Sequence, residues 1–217
     1  MREWYRIGGV AALLLGIGYL IIFPLYASVG APPNGADAWF KLLPGKTTVW
    51  WTILALSVFT DFLYLPVAFA LYLALQRVNR NAMVLATALV GLFVALDLAV
   101  TWSHYASILT LYSRYSAVTN DAQRAGYIAA ADYASAMLTS PLEIVYAIMT
   151  LSAGILLIGF VMLKSAFNKI TAWLGLATGI LGLASITGLS VAIIGNALGA
   201  TVWLFLVGYK LYRLPED

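Results

Sequence analysis

Residues 48–76 of the chain are TVWWTILALSVFTDFLYLPVAFALYLALQ, a run in which Asp61 is the single charged side chain. About 20 apolar residues are enough to cross a bilayer as a helix, because a helix rises 1.5 Å per residue and the hydrocarbon core is about 30 Å thick. The following run, residues 81–112, has Asp97 near its middle. The two runs therefore predict neighbouring membrane helices, each with an acidic residue inside the bilayer.

The composition extends this prediction to the whole chain. Of its 217 residues, 63% are hydrophobic and 10% are charged, and the mean hydropathy is +0.92, whereas soluble domains have about 25% charged residues. The sequence therefore predicts an integral membrane protein with the lipid bilayer as its main partner. The net charge of +3 comes from basic residues at helix ends, so it indicates membrane orientation and no nucleic-acid partner.

Six apolar stretches predict an all-α, polytopic bundle of six transmembrane helices that forms one domain, residues 1–217. The stretches are residues 7–29, 48–76, 81–112, 140–164, 170–187 and 190–211. We expect the first to be a retained helix and not a cleaved secretory signal, because Pro32 would directly follow a cut after Ala31. Polar breaks at Gln76–Asn81 and Ser165–Lys169 separate consecutive helices, and the final turn is expected at Thr187–Ser190.

Basic residues predict the orientation. Eight of the twelve would lie on one side of the membrane, namely Arg2, Arg6, Arg77, Arg80, Lys164, Lys169, Lys210 and Arg213. The positive-inside rule then places both termini in the cytoplasm. Aromatic residues predict a belt at each interface, the inner one with Trp4, Tyr72, Trp173, Tyr209 and Tyr212, and the outer one with Tyr26, Trp50, Trp51, Tyr112 and Tyr115.

Two outer connections are long enough to have structure of their own. The segment Ala31–Lys46 contains a Pro-Pro-Asn-Gly turn followed by apolar residues, which predicts a short interfacial element. Asn120 and Gln123 match a capping box and precede an alanine-rich run that ends near Met137. This pattern predicts an extra outer interfacial helix between transmembrane helices 3 and 4, with Asp132 exposed to solvent.

Small residues recur at a spacing of four in three places, Gly8-Ala12-Gly16, Gly175-Gly179 and Gly195-Gly199. This spacing lets helix backbones approach closely. Ordinary packing inside the bundle is favoured, and a face for a homo-oligomer or a membrane partner subunit stays open.

Polar residues inside the spans predict a site. A carboxylate at the bilayer centre costs about 2.5 to 3.5 kcal/mol on insertion scales, so such groups usually line a functional cavity. The helical spacing of Asp61 and Asp97 with other polar residues predicts two facing stripes. The candidate ligand-binding residues are Ser57, Asp61, Tyr64, Asp97, Thr101, His104 and Tyr105.

Two facing carboxyl groups at equal depth should share a proton at neutral pH, because like charges repel strongly in a medium of low dielectric constant. The alternative is that each Asp is protonated and links helices by a hydrogen bond, for example to the carbonyl group freed by Pro66. His104 is favoured as a wall residue over a metal ligand, because catalytic zinc usually needs three protein ligands. No metal, cofactor or catalytic residue is predicted.

The position of Glu143 predicts that it caps the start of its own helix. In Ser140-Pro141-Leu142-Glu143, the serine is placed as an N-cap, the proline as the first helical residue and the glutamate three residues after the cap. This pattern favours a capping box over a functional carboxylate.

Several segments resemble an uncharacterised family of prokaryotic multi-helix membrane proteins, a domain of unknown function. They are Leu71-Tyr72-Leu73-Ala74-Leu75 with Asn79-Arg80-Asn81, Ala122-Gln123-Arg124-Ala125-Gly126-Tyr127, Thr171-Ala172-Trp173-Leu174-Gly175 and Val207-Gly208-Tyr209-Lys210-Leu211. The resemblance implies six helices and a multi-pass protein of a prokaryotic plasma membrane. It implies no catalytic residue.

Three functions remain open at this point. The favoured one is binding or transport of a small cationic or amphipathic ligand around the two aspartates. The second is an accessory or structural subunit whose acids pair with another membrane chain. The third is an intramembrane enzyme that acts on a lipid, which is less favoured because no serine or cysteine nucleophile motif is visible.

Overall fold

The computed structural model describes residues 2–214, which are helical throughout apart from short connections and contain no β-strand. In chain order the α-helices are α1 (Arg2–Val29), α2 (Ala36–Leu42), α3 (Thr47–Leu96), α4 (Ser103–Ala117), α5 (Asp121–Leu138), α6 (Pro141–Glu143), α7 (Thr150–Met162), α8 (Lys169–Ala184) and α9 (Ser190–Tyr212). A first π segment (Asp97–Trp102) joins α3 to α4, and a second π segment (Ile144–Met149) joins α6 to α7.

Within the described residues, five helical segments are long and apolar enough to cross a membrane. They are Arg2–Val29, Thr47–Ala117, Val145–Met162, Lys169–Thr187 and Ser190–Tyr212. Large apolar side chains are exposed along them, among them Leu20 (53%), Phe62 (53%) and Ile180 (57%). Such surfaces require an apolar solvent, so the protein is a multi-pass helix bundle with lipid around it.

The segment Thr47–Ala117 has 71 residues, and as one straight helix it would be about 105 Å long. It is instead interrupted at Asn79, where the backbone leaves helical geometry (φ −155°, ψ 92°). The Asn79 carboxamide oxygen accepts a hydrogen bond from the Ala82 amide at 3.1 Å, as an N-cap does. The break predicted at Gln76–Asn81 is thus confirmed.

The two arms of this segment, residues 47–78 and 80–117, run back along each other. Tyr64 contacts Phe93 with ring centroids 5.7 Å apart, and Trp50 contacts Tyr105 at 6.0 Å. The members of each pair lie at nearly equal numbers of residues from Asn79, which is the pattern of an antiparallel hairpin. We call its two extremities the Asn79 end and the α2/α5 end.

The final turn lies where the sequence predicts it. A 3-10 turn, Ser185–Thr187, ends at Gly188, whose φ of 75° is left-handed, and α9 begins at Ser190. Glycine adopts this conformation without steric cost.

The connections that precede and follow the hairpin pack on each other at the α2/α5 end. The N-terminus of α2 is held by α5, since the Ala36 amide donates to the Asp132 carboxylate at 2.7 Å and the Gly35 amide donates to the Ser135 hydroxyl at 2.9 Å. Asn120 caps α5 by accepting from the Gln123 amide at 3.1 Å, as predicted. Asp132 is exposed, as predicted, and its carboxylate also anchors α2.

Trp50 is not part of an interfacial belt, contrary to the prediction. It is 2% exposed and packs edge-on against Trp39 of α2 at 5.0 Å. Three residues of the predicted inner belt are exposed, as a belt requires, namely Trp4 (47%), Trp173 (61%) and Tyr209 (55%). The difference arises because α2 folds over the hairpin, which a helix-by-helix interpretation of the sequence cannot show.

The small residues at a spacing of four pack within the chain. A Cβ atom at Gly8 would overlap the Ala70 side chain, one at Gly175 would lie 2.7 Å from the Trp203 indole, and one at Gly199 would lie 2.8 Å from the Thr178 hydroxyl. These glycines therefore serve close approach inside the bundle, as the favoured interpretation states.

We expect Gly159→Ala to destabilise the protein by about 1 to 3 kcal/mol, a typical cost of overpacking. The added Cβ would lie 2.7 Å from the Leu176 backbone nitrogen and 3.0 Å from the Gly175 carbonyl carbon, so α7 and α8 would have to separate. Gly91→Ala is the matched control, because nothing lies within 4 Å of its Cβ position. Thermal unfolding followed by circular dichroism would measure both, and equal midpoints would contradict the expectation.

Candidate functional site

Asp61 lies on the first arm of the hairpin and faces the bundle interior, with 4% of its surface exposed. Its carboxylate accepts a hydrogen bond from the Trp102 indole nitrogen at 2.6 Å. The direction of this bond is certain because an indole N–H can only donate. Asp61 is therefore tied to the opposite arm of the hairpin.

Asp97 is the first residue of the first π segment and is 5% exposed. Its carboxyl group lies within hydrogen-bonding reach of the Asp61 carboxyl group, and Trp102 and Thr101 lie beside the two acids. None of these neighbours carries a positive charge. The predicted meeting of two buried acids across the hairpin is thus present, and we call it the acid pair.

The two acids lie at the same distance from the turn of the hairpin. Asp61 and Asp97 each lie 18 residues from Asn79, about 27 Å along a helix. They therefore share one depth along the hairpin, as expected.

The first π segment changes which residues accompany Asp97. A π turn has i→i+5 hydrogen bonds and so contains one more residue than an α turn. Trp102 and Tyr105 consequently occupy the positions that α-helical spacing assigns to Thr101 and His104. Trp102 bonds Asp61, and Tyr105 stacks on Trp102 with centroids 5.5 Å apart. The sequence pattern missed Trp102 because it assumed a regular helix.

The structure places Thr101 and His104 in different surroundings. Thr101 stays beside Asp97, is 6% exposed and has a buried hydroxyl oxygen without a well-formed hydrogen bond. His104 points toward α5, where its ring lies 6.0 Å from that of Tyr133. Its Nδ1 lies 2.6 Å from the Val100 carbonyl oxygen, and since a carbonyl can only accept, Nδ1 carries the hydrogen. The structure thus separates His104 from the acid pair.

Tyr64 connects the acid pair to α1. Its hydroxyl lies 2.6 Å from the Tyr19 hydroxyl, and both acids lie close enough to act electrostatically on both phenols. Two hydroxyls that share one hydrogen bond have one further O–H proton to donate. The tyrosine pair can therefore donate one further hydrogen bond to a neighbouring group. Ser57 is buried nearby, and its carbonyl accepts from the Thr60 hydroxyl at 2.8 Å.

A cavity of about 180 Å³ begins at the tyrosine pair and lies among α1, α3, α7 and α9. Its lining includes Tyr19, Phe23, Tyr64, Ser152, Asn196 and Ala200. The Asn196 amide nitrogen donates to the Thr178 carbonyl at 2.8 Å, which leaves the Asn196 carboxamide oxygen available as an acceptor. The space thus combines aromatic faces with hydroxyl and amide groups.

Sequence reasoning did not assign Tyr19, Ser152 or Asn196 to the site. A signal for two of them was present, since Asn196 is a strongly polar residue in the last apolar stretch and Tyr19 is the one polar side chain between residues 7 and 25. Polar residues inside membrane spans usually face the bundle interior. What the sequence could not show is that α1 and α9 meet the hairpin at the same place.

An aromatic cluster covers the acid pair at the α2/α5 end. Trp39, Trp50, Trp102 and Tyr105 contact one another with centroids 5.0 to 6.0 Å apart. The indole nitrogens of Trp39 and Trp50 are buried without a hydrogen-bond partner. Tyr105 thus takes part in covering the acids, and α2 supplies part of the cover through Trp39.

Glu143 does not form the predicted capping box. The Ser140 hydroxyl accepts from the Leu142 amide at 3.2 Å, but the Ser140 amide donates to the Met137 carbonyl at 3.3 Å, so the place intended for the Glu143 carboxylate is taken. Glu143 precedes the span that begins at Val145. Burial, with a further contribution from Asp97, raises the pKa of Glu143 to about 7.

Comparison of the chain with models of known protein families, with curated proteins and with solved structures finds no match. The resemblance to an uncharacterised prokaryotic membrane family therefore stays a prediction.

Proposed function

We propose that this membrane protein binds or transports a small cationic or amphipathic ligand beside the acid pair. The observation that supports this proposal most directly is that the Asp61 and Asp97 carboxyl groups lie within hydrogen-bonding reach of each other, with no positively charged side chain of residues 2–214 acting on them. A buried carboxylate is costly without a compensating charge. A cation from outside the chain would supply that charge.

The burial of the acids favours this proposal over the accessory-subunit alternative. Asp61 and Asp97 are 4% and 5% exposed, so a basic residue of another membrane chain could not reach them without rearrangement of the hairpin. A small ligand has a nearer space, the cavity of about 180 Å³ beyond Tyr64.

The topology proposed with this function has six spans, because the break at Asn79 divides Thr47–Ala117 into two arms. Both termini are cytoplasmic, in agreement with the distribution of arginine and lysine, and α5 is the additional interfacial helix on the outer side. The α2/α5 end is then the outer end, and the membrane is a prokaryotic plasma membrane.

Cation binding can be tested by calorimetry on the purified protein in lipid nanodiscs, with butyltrimethylammonium as the probe. We expect saturable binding that weakens at least tenfold in Asp61→Asn and in Asp97→Asn, because each variant removes one of the two carboxyl groups that share the negative charge. Binding should also weaken as the pH falls and protons compete for the carboxylate. Asp37→Asn is the matched control, since Asp37 is exposed on α2.

Equal affinity in the wild-type protein and both acid variants would contradict the proposal. An uncharged butyl alcohol of similar size serves as the second control, and we expect it to show no dependence on the two acids. If Asp37→Asn weakened binding as much as Asp97→Asn, the effect would be one of surface charge and the proposal would also fail.

A further inference from the structure

The polar cavity and a groove on the lipid-facing surface share two of their lining residues. The groove lies between α1 and α9, has a volume of about 380 Å³ and is lined by Phe23, Ile193, Ile194, Ala197 and Leu198. Phe23 and Ala197 also line the cavity. The two spaces are thus neighbours across a wall one residue thick.

The groove is entirely apolar and faces outward. Ile193, Ile194 and Leu198 are 48%, 58% and 56% exposed, so in a bilayer they contact acyl chains. A hydrocarbon chain lying there exchanges one apolar surrounding for another, since lipid tails are as apolar as these side chains. The groove alone therefore does not discriminate between one hydrocarbon chain and another.

The cavity provides the selectivity that the groove lacks. Asn196 and Ala200 face the cavity on the same helix whose other side forms the groove. Tyr19, Phe23 and Tyr64 present aromatic rings to the cavity, and the faces of such rings attract organic cations. Asp61 and Asp97 do not line the cavity, but both act electrostatically on Tyr64, so a positive charge in the cavity also meets complementary negative charge.

The geometry points to a single site that spans both spaces and takes a single-chain amphiphile with a compact ammonium headgroup, which enters sideways from the bilayer. The headgroup occupies the cavity among the three rings, and the alkyl chain leaves between Phe23 and Ala197 and lies in the groove. This inference rests on the proposed function, because it assigns the ligand class to the acid pair. A volume of about 180 Å³ suits a headgroup and is below the 300 Å³ or more typical of drug-sized ligands.

Photolabelling tests the position of the chain. The probe is an alkyltrimethylammonium with a diazirine at the end of its chain, and a neutral probe has the same chain with a hydroxyl headgroup. The protein is held in nanodiscs free of choline lipids, which would compete. We expect the cationic probe to label Ile193, Ile194 or Leu198 at least fivefold more than the neutral probe does, and Asp97→Asn to remove that excess.

A variant that blocks the space between groove and cavity tests whether one ligand occupies both. Ala197→Phe should reduce binding of the cationic amphiphile at least tenfold, because the new ring fills the space between groove and cavity. Ala95→Phe is the matched control, since Ala95 is an exposed alanine on the second arm of the hairpin, and it should leave binding unchanged.

The outcomes separate the two proposals. Equal labelling by the cationic and the neutral probe, with butyltrimethylammonium binding still dependent on the two acids, would overturn this inference alone and mark the groove as a site of annular lipid. Unchanged binding of the amphiphile in Ala197→Phe would overturn it as well. Cation binding that does not depend on Asp61 or Asp97 would overturn the proposed function itself.

Discussion

Infrared spectra of the wild-type protein at pH 7 should contain the carbonyl band of a buried protonated carboxyl group, and this band should be absent from the double variant Asp61→Asn/Asp97→Asn. The reason is that the two carboxyl groups lie within hydrogen-bonding reach of each other, and two negative charges at that separation in a buried site repel strongly. One shared proton removes the repulsion and forms a hydrogen bond. Acidification should then increase the band about twofold as the second carboxyl group is protonated.

Glu143 requires its own control in this experiment. Its pKa is raised to about 7, so it also contributes a protonated carboxyl signal near neutral pH. In Glu143→Gln the band of the acid pair should persist at pH 7. A wild-type spectrum without any band that depends on Asp61 or Asp97 would show that the two acids do not share a proton.

Insertion of an alanine after Val100 should abolish cation binding and lower the stability by several kcal/mol. The first π segment already holds one more residue than an α turn, so a second additional residue would turn every residue after it by about 100° around the helix axis. Trp102 would leave Asp61, at a cost of about 1.5 to 3 kcal/mol for a hydrogen bond to a charged group. Ile108 and Leu109, which are 0% and 1% exposed, would also leave the core.

Two further variants show whether the helical register causes this loss of binding and stability. Insertion of an alanine after Thr119, in the exposed connection before α5, should change stability far less. Trp102→Phe keeps an aromatic ring beside Tyr105 but removes the N–H donor to Asp61, so it should cost about 1.5 to 3 kcal/mol while α4 stays in place. Chemical unfolding followed by circular dichroism measures all three, and an insertion after Val100 no more harmful than the insertion after Thr119 would contradict the role given to the helical register.

The residues around Asp97 show which contacts a helical pattern in the sequence predicts and which it does not. A spacing of four and three residues correctly places Asp97 inside the bundle and opposite Asp61. It then fails at His104 and misses Trp102, because an i→i+5 turn intervenes and the helical spacing of this sequence does not indicate such a turn. The same limit explains the two corrections at Trp50 and Glu143. In each case a neighbour from another part of the chain, Trp39 or the Met137 carbonyl, decides the environment.

By itself the sequence determined the membrane class, the ends of the long helices, the break at Asn79, the cap at Asn120 and the turn at Gly188, because hydrophobic length, capping residues and glycine act locally. It also determined that Asp61 and Asp97 face inward, since their burial follows from helical period and from the cost of charge in lipid. Only the tertiary structure decided what surrounds them. Tyr19, Asn196 and Trp102 reach the site through the packing of α1 and α9 on the hairpin and through the first π segment, and such contacts between distant parts of the chain leave no periodic signal in the sequence.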